Sequence, residues 1–213
     1  MGIDAVKMTD LRGREAFEQL LRLERQAGRI VINQPASVPS VLQTAGYAAE
    51  IVRWVGGVAA GSRELTDRVE RRMRRAGALE ERLRGPNPPR LLVVLDEGVL
   101  RRAVGGPDVM REQLEHLSDL AALDAVTLAV VRFDRGAHPG LGGSFEVHEM
   151  PGGRAAVFFE AAHGDRLVGA DQALAARLRD RAEETAGLAA TGDDARALLT
   201  VVGMSMGGQS VRQ

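Results

Sequence analysis

The chain lacks cysteine entirely and has few aromatic residues. Without cysteine, disulfide bonds, thiolate catalysis and cysteine-ligated zinc are excluded. Because aromatic residues make up only 3% of the chain, the core has to be built from Leu, Val and Ala. No apolar run approaches the length of a membrane span, and residues 1–17 contain no apolar core of the signal-peptide type. These absences predict a cytoplasmic globular protein without a membrane partner.

The chain also lacks an excess of either charge. Its 28 lysine and arginine residues and 29 acidic residues give a net charge of −1. A domain that binds nucleic acid usually presents a basic surface, so we expect no direct DNA binding. Lys7 is the only lysine among these basic residues. We interpret this bias as the coding preference of a GC-rich genome rather than as arginine-based chemistry.

The apolar periodicity predicts helices at both ends of the chain and a sheet between them. The first predicted helix is capped by Thr9 or Asp10. The predicted helices cover about 10–27, 40–55, 62–83, 107–123, 170–188 and 193–202, and a further short helix begins at Asp96-Glu97. The predicted strands cover 29–33, 91–95, 126–132, 145–150, 154–160 and 165–168. A Pro-Gly-Gly turn is expected to join two strands into a hairpin. The predicted fold class is α+β, with N-terminal helices packed on a small, mainly antiparallel sheet and with C-terminal helices.

We expect a single domain over residues 1–213. Its helical part covers about 9–84 and its sheet-containing part about 90–202, and the stiff segment Arg84–Arg90 connects them. No DNA-binding helix-turn-helix is expected in either part.

The third predicted helix has two different faces. Leu65, Val69 and Met73 form an apolar stripe, which we expect to contact a small protein partner or a second copy of the chain. The opposite face carries Arg and Glu in mixed order, a pattern typical of a solvated surface.

Three segments together carry a family resemblance: Val38–Thr44 (VPSVLQT), Leu91–Leu117 and Arg135–Val147 (RGAHPGLGGSFEV). Over roughly Phe17–Leu199 the chain resembles the C-terminal effector domain of actinobacterial XRE-type helix-turn-helix regulators, an antitoxin-like group. The resemblance implies a regulatory effector or partner-binding module, here expected without its DNA-binding helices. Family members usually have Gly-Leu where this chain has Ser40-Val41, so the local turn is expected to differ.

Candidate catalytic residues are few. His138 lies in a Gly- and Pro-containing loop and matches the histidine of the family's loop motif; it either ties down the loop or contacts a ligand. Glu97 either stabilises a helix N-terminus or lines a cleft. Glu160 closes a strand and points either to solvent or into a polar pocket. If the protein is an enzyme, His138 with Glu97 or Glu160 would be its acid–base pair.

We expect the binding cleft where the Leu91–Leu95 strand meets the Arg135–Gly143 loop. The helix N-terminus there favours an anion or a polar ligand head. The predicted ligand-contacting residues are Gln43, Tyr47 and Trp54, which form an N-terminal wall, together with Arg101, Arg111 and Phe145. No histidine pair has metal-ligand spacing on a helix and no HExxH motif is present, so we expect no metal site and no cofactor.

Three classes of function fit these observations. The first is a regulatory effector that binds a small protein partner or forms a homo-oligomer. The second is a module that binds an apolar or polar-headed small molecule. The third is a small biosynthetic enzyme of cyclase or isomerase type, which would work by acid–base or shape catalysis without a cofactor. The leading interpretation is a regulatory effector that senses a small molecule.

Overall fold

The computed structural model of the chain describes residues 10–160 and 164–207. Within these ranges it has seven strands and seven α-helices. The strands are β1 (Leu11–Arg12), β2 (Arg29–Gln34), β3 (Arg90–Asp96), β4 (Val126–Val131), β5 (Phe145–Glu149), β6 (Ala155–Phe159) and β7 (Arg166–Val168). The helices are α1 (Gly13–Gln26), α2 (Ala45–Trp54), α3 (Arg63–Leu83), α4 (Glu97–Arg101), α5 (Pro107–Ala121), α6 (Gln172–Ala186) and α7 (Gly192–Gly207). Single 3₁₀ turns are formed by Ser40–Leu42, Phe133–Arg135 and Pro139–Gly142.

The strands form one mixed sheet in the order β1-β7-β6-β5-β2-β3-β4. The pairs β2–β3 and β3–β4 are parallel, whereas β1–β7, β2–β5, β5–β6 and β6–β7 are antiparallel. This arrangement confirms the predicted α+β class with helices at both ends. All six predicted strands are present as β2–β7, and β1 is added at the edge. Four of the six strand pairs are antiparallel, as expected, whereas the β2–β3–β4 part is parallel.

Strand β2 occupies the interior of the sheet. It pairs with β3 on one side and with β5 on the other, and all its residues except Arg29 are buried. This strand comes from the part of the chain expected to be mainly helical. Along the chain, the segment between α3 and β3 therefore lies between β2 and β3, two neighbouring strands of the same sheet.

The two faces of the sheet are covered by different helices. On one face, α6 packs on a core that includes Val31, Val94 and Val147. On the other, α2, α3, α5 and α7 pack on the β2–β3–β4 half, and α1 packs on β6 and β7. The alternation of side chains along each strand assigns neighbouring residues to opposite faces.

Two predicted helix starts are wrong. Helix α1 begins at Gly13, because the preceding Leu11 and Arg12 pair with β7 as an edge strand, and Asp10 lies outside the helix; Thr9 lies outside the described residues. The predicted helix over 40–55 is divided into a 3₁₀ turn and α2. Thr44 caps α2 by accepting from the Tyr47 N–H. The buried amide of Gln113 bridges the break, accepting from the Thr44 N–H and donating to the Leu42 carbonyl.

Among the helices of residues 10–160 and 164–207, none has both the length and the apolar content that crossing a bilayer requires.

Candidate functional site: a buried arginine beside a cavity

Two polar side chains interrupt the sheet face on which α1 and α3 pack. Glu146 and His148 of β5 point to this face, because the residues that alternate with them pack on the α6 side. Across the sheet, Glu146 is aligned with Ile32 of β2 and with Phe158 of β6. Glu146 is 5% exposed and His148 is fully buried. A carboxylate in such an apolar row requires a compensating charge.

That charge comes from Arg75, a buried residue of α3. Its guanidinium donates to the Glu24 carboxylate of α1 at 2.7–3.0 Å and to Glu146 at 2.9 and 3.2 Å. Its Nη1 also donates to the Ser40 hydroxyl at 2.9 Å. The ring of Phe17 lies 5.8 Å from the guanidinium carbon, within the range of a cation–π contact. We call Glu24, Ser40, Arg75, Glu146 and His148 the Arg75 cluster.

The geometry of the cluster sets its ionisation. Burial alone would raise the pKa of Glu146, but the charge of Arg75 and the hydrogen bond from His148 lower it to about 2. Burial likewise opposes the charge of Arg75, yet the carboxylates of Glu146 and Glu24 raise its pKa. His148 Nε2 lies 3.0 Å from a Glu146 oxygen and donates to it. The buried Nδ1 of His148 has no hydrogen-bond partner among the described residues.

The same residues include a set of potential metal ligands. Glu24, Glu146 and His148 each place a ligand atom within 4.8 Å of the others. Both carboxylates, however, already accept hydrogen bonds from Arg75. A metal ion here would have to displace a buried guanidinium and leave it unpaired, which is strongly unfavourable. The carboxylates of Glu24 and Glu146 are therefore suited to hold Arg75 rather than a metal ion.

We expect Arg75→Met to lower the free energy of unfolding by about 3–5 kcal/mol, because it leaves two buried carboxylates without a counter-charge. Urea denaturation at neutral pH measures this loss. The control is Arg74→Met on the same helix, where the arginine side chain is 68% exposed and the expected change is within about 0.5 kcal/mol. Equal losses in the two variants would contradict the assigned role of Arg75.

The lowered pKa of Glu146 predicts a pH dependence of stability. Because this pKa falls from 4.5 to about 2 on folding, the carboxylate stabilises the fold above the unfolded value and loses that contribution as the pH falls from about 5 to about 2. The contribution is about 3 kcal/mol. Glu146→Gln should be less stable at pH 7 and should lose less stability on acidification, as measured by denaturation at a series of pH values. Parallel pH profiles for the two proteins would refute this assignment.

A cavity of about 260 Å³ lies beside the Arg75 cluster. Its apolar walls are Phe17, Val52 and Phe158. Its polar lining consists of Ser40, Arg68, Arg71, Arg72, Arg75, Glu160 and Asp165. We call it the arginine cavity, since four guanidinium-bearing residues from α3 line it.

Arg72 is a half-buried arginine of this cavity and is less exposed than Arg68: 23% of its side chain is exposed, against 42% for Arg68. Its Nη1 donates to the Gln43 side-chain oxygen at 3.0 Å and its Nη2 to Glu160 at 3.3 Å. Gln43 is itself fixed by donating to the Val38 carbonyl. Loss of hydration raises the pKa of Glu160, although 41% of its side chain is exposed and Arg72 acts in the opposite direction. The structure thus brings together two predicted site residues, Gln43 and Glu160.

Two other predicted wall residues lie outside the arginine cavity. Tyr47 is fully buried and accepts a hydrogen bond from the Val38 N–H, and burial raises its pKa. Trp54 is 71% exposed. Its indole N–H donates to Glu50, and Arg53 lies 4.7 Å from its ring centre. Tyr47 therefore supports the turn before α2, whereas Trp54 lies on the surface.

His138 lies at the carboxyl end of the parallel strands. Its Nε2 lies 3.3 Å from Asp96 at the end of β3, and its side chain is 2% exposed. Beside it, Asn33 of β2 donates to the carbonyls of Gly140 and Gly143. A Cβ at position 140 would lie 2.9 Å from the Asn33 side-chain oxygen and 3.0 Å from His138 Nδ1. Only glycine allows the loop to approach this closely.

Glu97 holds the other side of the same loop. One of its carboxylate oxygens accepts from the Phe133 N–H at 2.8 Å, and the other accepts from Arg101 at 2.6 Å. Burial would raise the pKa of Glu97, but these two hydrogen bonds lower it. Both Glu97 and Arg101 thus have partners that fix the start of α4 and the loop after β4.

The remaining predicted site residues lie elsewhere. Arg111 pairs with Asp108 at 2.7 Å and borders a surface groove between α5 and α7. Phe145 is buried in the core beneath α6.

The sheet separates the two groups of predicted site residues. Asn33 and Asp96 alternate with Ile32 and Leu95, which face α3 and α5, so they point to the α6 side together with His138. Gln43 and Glu160 lie on the opposite side, with Arg72. The expected cleft, with His138 opposite a wall of Gln43, Tyr47 and Trp54, is not formed by this arrangement.

Sequence reasoning missed Arg75, Arg72 and Glu146. The Arg- and Glu-rich face of α3 was expected to be solvated, and the arginine content was attributed to coding preference. The structure corrects the first interpretation for Arg75, which is buried under α1 and paired with Glu24. Glu146 gave a signal in the sequence: it alternates with apolar residues in a strand, yet the next strand carries apolar residues at every position, so both faces of this part of the sheet are covered.

Residues 17–201 match the family described as Domain of unknown function (DUF5753). The chain belongs to this family. The DUF5753 range includes the Arg75 cluster, the arginine cavity and the His138 loop. No match to the chain was found among curated proteins or among solved structures.

Whether His138 also contacts a ligand stays a prediction, which a single variant can test. We expect His138→Ala to lower the free energy of unfolding by about 1–3 kcal/mol, because it leaves the Asp96 carboxylate without this partner. Asn33→Ala, which frees the same loop, should have a similar effect. Chemical denaturation of both variants measures it. Unchanged stability of His138→Ala together with altered ligand binding would instead assign His138 to a binding site.

Proposed function

We propose that the chain is a regulatory effector module that senses a small molecule bound in the arginine cavity. The observation that carries the proposal is the pairing of a half-buried arginine with apolar walls in one cavity. Ligand sites typically combine an apolar lining with a few polar groups that fix orientation. Arg72 supplies such a group, and Gln43 and Glu160 hold it in place.

The regulatory part of the proposal rests on the resemblance to the effector domains of XRE-type regulators. In that group the domain follows DNA-binding helices, and its gene often neighbours a gene for a small partner protein. Trp54 and Val55, at the end of α2, are 71% and 77% exposed and offer an apolar contact for such a partner. The stripe of Leu65, Val69 and Met73 is half-buried, so the protein's own chain already covers part of the surface expected to meet a partner.

An enzymatic function is the second candidate, and one observation favours it. Glu160 borders the arginine cavity and has a raised pKa, as a general acid requires. An acid–base enzyme of cyclase or isomerase type would therefore use Glu160 here. The pair of His138 with Glu160 is not available to it, because the two residues lie on opposite faces of the sheet.

Ligand mapping by NMR tests the sensing proposal. A fragment library is screened against ¹⁵N-labelled protein, and we expect hits to shift the amide signals of Ser40–Leu42, of Arg68–Arg75 in α3 and of the end of β6. The groove between α5 and α7 is an internal control, because it has a similar volume of about 290 Å³ without a half-buried arginine. Hits that collect in that groove, or nowhere, would overturn the proposal.

A further inference from the structure

The two inner arginines of the arginine cavity are held very differently. Arg75 is saturated by acceptors whose side chains are almost fully buried. Among the described residues, the side chain of Arg72 donates hydrogen bonds to Gln43 and to one oxygen of Glu160, the latter at 3.3 Å. Ion-paired hydrogen bonds usually measure about 2.7–2.9 Å. The Arg72–Glu160 contact is therefore a long, single-oxygen pair at a partly exposed position, and it can be replaced at low cost.

Glu160 shows which chemical group suits this position. Its carboxylate reaches Arg72 from the end of β6, beside Phe158. A guanidinium has five N–H donors in a planar fork, and it binds a free carboxylate through two parallel hydrogen bonds. A ligand carboxylate can meet Arg72 in this way, whereas Glu160 offers it only one oxygen.

The rest of the cavity restricts the size and the character of the ligand. Its volume of about 260 Å³ is at the small end of the usual range for ligand sites. Phe17, Val52 and Phe158 present apolar surface to the interior. Arg71 lines the same cavity. Among residues 10–160 and 164–207 its guanidinium makes no ion pair, so it is a second cationic group near Arg72, whereas Glu160 and Asp165 are the acidic groups of the lining.

We infer that the ligand of the arginine cavity is a small apolar monocarboxylate, whose carboxylate displaces Glu160 from Arg72 and whose apolar body lies against Phe17, Val52 and Phe158. The inference rests on the proposed function and names the chemical class of the molecule sensed. The release of Glu160, at the end of β6, is then the first structural change that binding produces.

Matched acids and amides test this inference. The probes are 2-naphthoate, phenylacetate and hexanoate, each compared with its primary amide, which has nearly the same shape but no charge. Titration calorimetry at pH 7 measures affinity, and amide shifts in ¹⁵N-labelled protein locate the site. We expect at least one acid to bind in the arginine cavity about tenfold or more tightly than its amide, since a hydrogen bond to a charged group is roughly twice as strong as a neutral one.

Three variants assign the effect to residues. Arg72→Gln should weaken binding of the acid about tenfold or more while leaving the amide unchanged. Glu160→Gln removes the competing carboxylate and should tighten acid binding about threefold or more. Arg74→Gln is the matched control, because Arg74 lies on the same helix but does not line this cavity; it should leave both affinities unchanged. Thermal melting of each variant confirms that it is folded.

The outcomes separate the inference from the proposed function. Equal binding of acid and amide in the cavity would overturn the carboxylate assignment and leave the sensing proposal intact. If fragments of another chemical class bind in the cavity and none of the acids does, the carboxylate assignment is also overturned and the sensing proposal stands. Acid binding that is unaffected in both Arg72→Gln and Glu160→Gln would also overturn it. If neither the acids nor the fragment library binds in the cavity, both proposals fall together.

Discussion

The guanidinium of Arg75 on α3 determines how α1, β5 and the turn before α2 can pack around it. Glu146 lies in a row of apolar residues on β5, Glu24 comes from α1, and Ser40 comes from the turn before α2; all three accept hydrogen bonds from Arg75 of α3. Apolar residues of similar volume would often be as stable as such a buried network, so its main effect is on specificity. Any other register of α1, α3 or β5 would leave a charge buried and unpaired. The arginine cavity depends on this packing, because α1, α3 and the turn before α2 all contribute to its lining.

Much of the fold was predictable because it is encoded locally. The apolar run Leu91–Leu95, the β-branched run at Arg29–Asn33 and the Pro-Gly-Gly turn each determine their structure within a few residues. The exact starts of α1 and α2 were not predictable from the local sequence, because they depend on distant partners. Strand β7 pairs with Leu11 and Arg12, and Gln113 bridges the break before α2. The Arg75 cluster was hidden for the same reason. Arg75 and Glu146 are 71 residues apart, and nothing in either segment alone indicates that they meet.

Two residues from the segments that carried the family resemblance, His138 and Glu97, help to hold the backbone together at the carboxyl ends of β2 and β3. His138, Asn33 and Glu97 each fix part of the loop that follows β4. This edge of a parallel sheet is where ligands commonly bind in other folds, and the sequence-based expectation also located the cleft at the end of the Leu91–Leu95 strand. In this chain the loop itself covers the edge, whereas the described cavity with the half-buried Arg72 lies across the sheet. Ser40 adds a hydroxyl to that second location.

The interior position of β2 has a consequence for the order in which the chain can fold. Strands β5, β6 and β7 pair with sequence neighbours, and β3 and β4 are joined by a single connection, so each half of the sheet can assemble from nearby segments. The contact between β2 and β5 closes a far longer loop, and such non-local pairing is slow. During synthesis from the N-terminus, β2 and the Glu24–Arg75 pair emerge well before β5. Until β5 has been synthesised, the β2 edge that pairs with β5 has unpaired backbone groups, so the nascent chain exposes an apolar strand that is prone to pair with other chains.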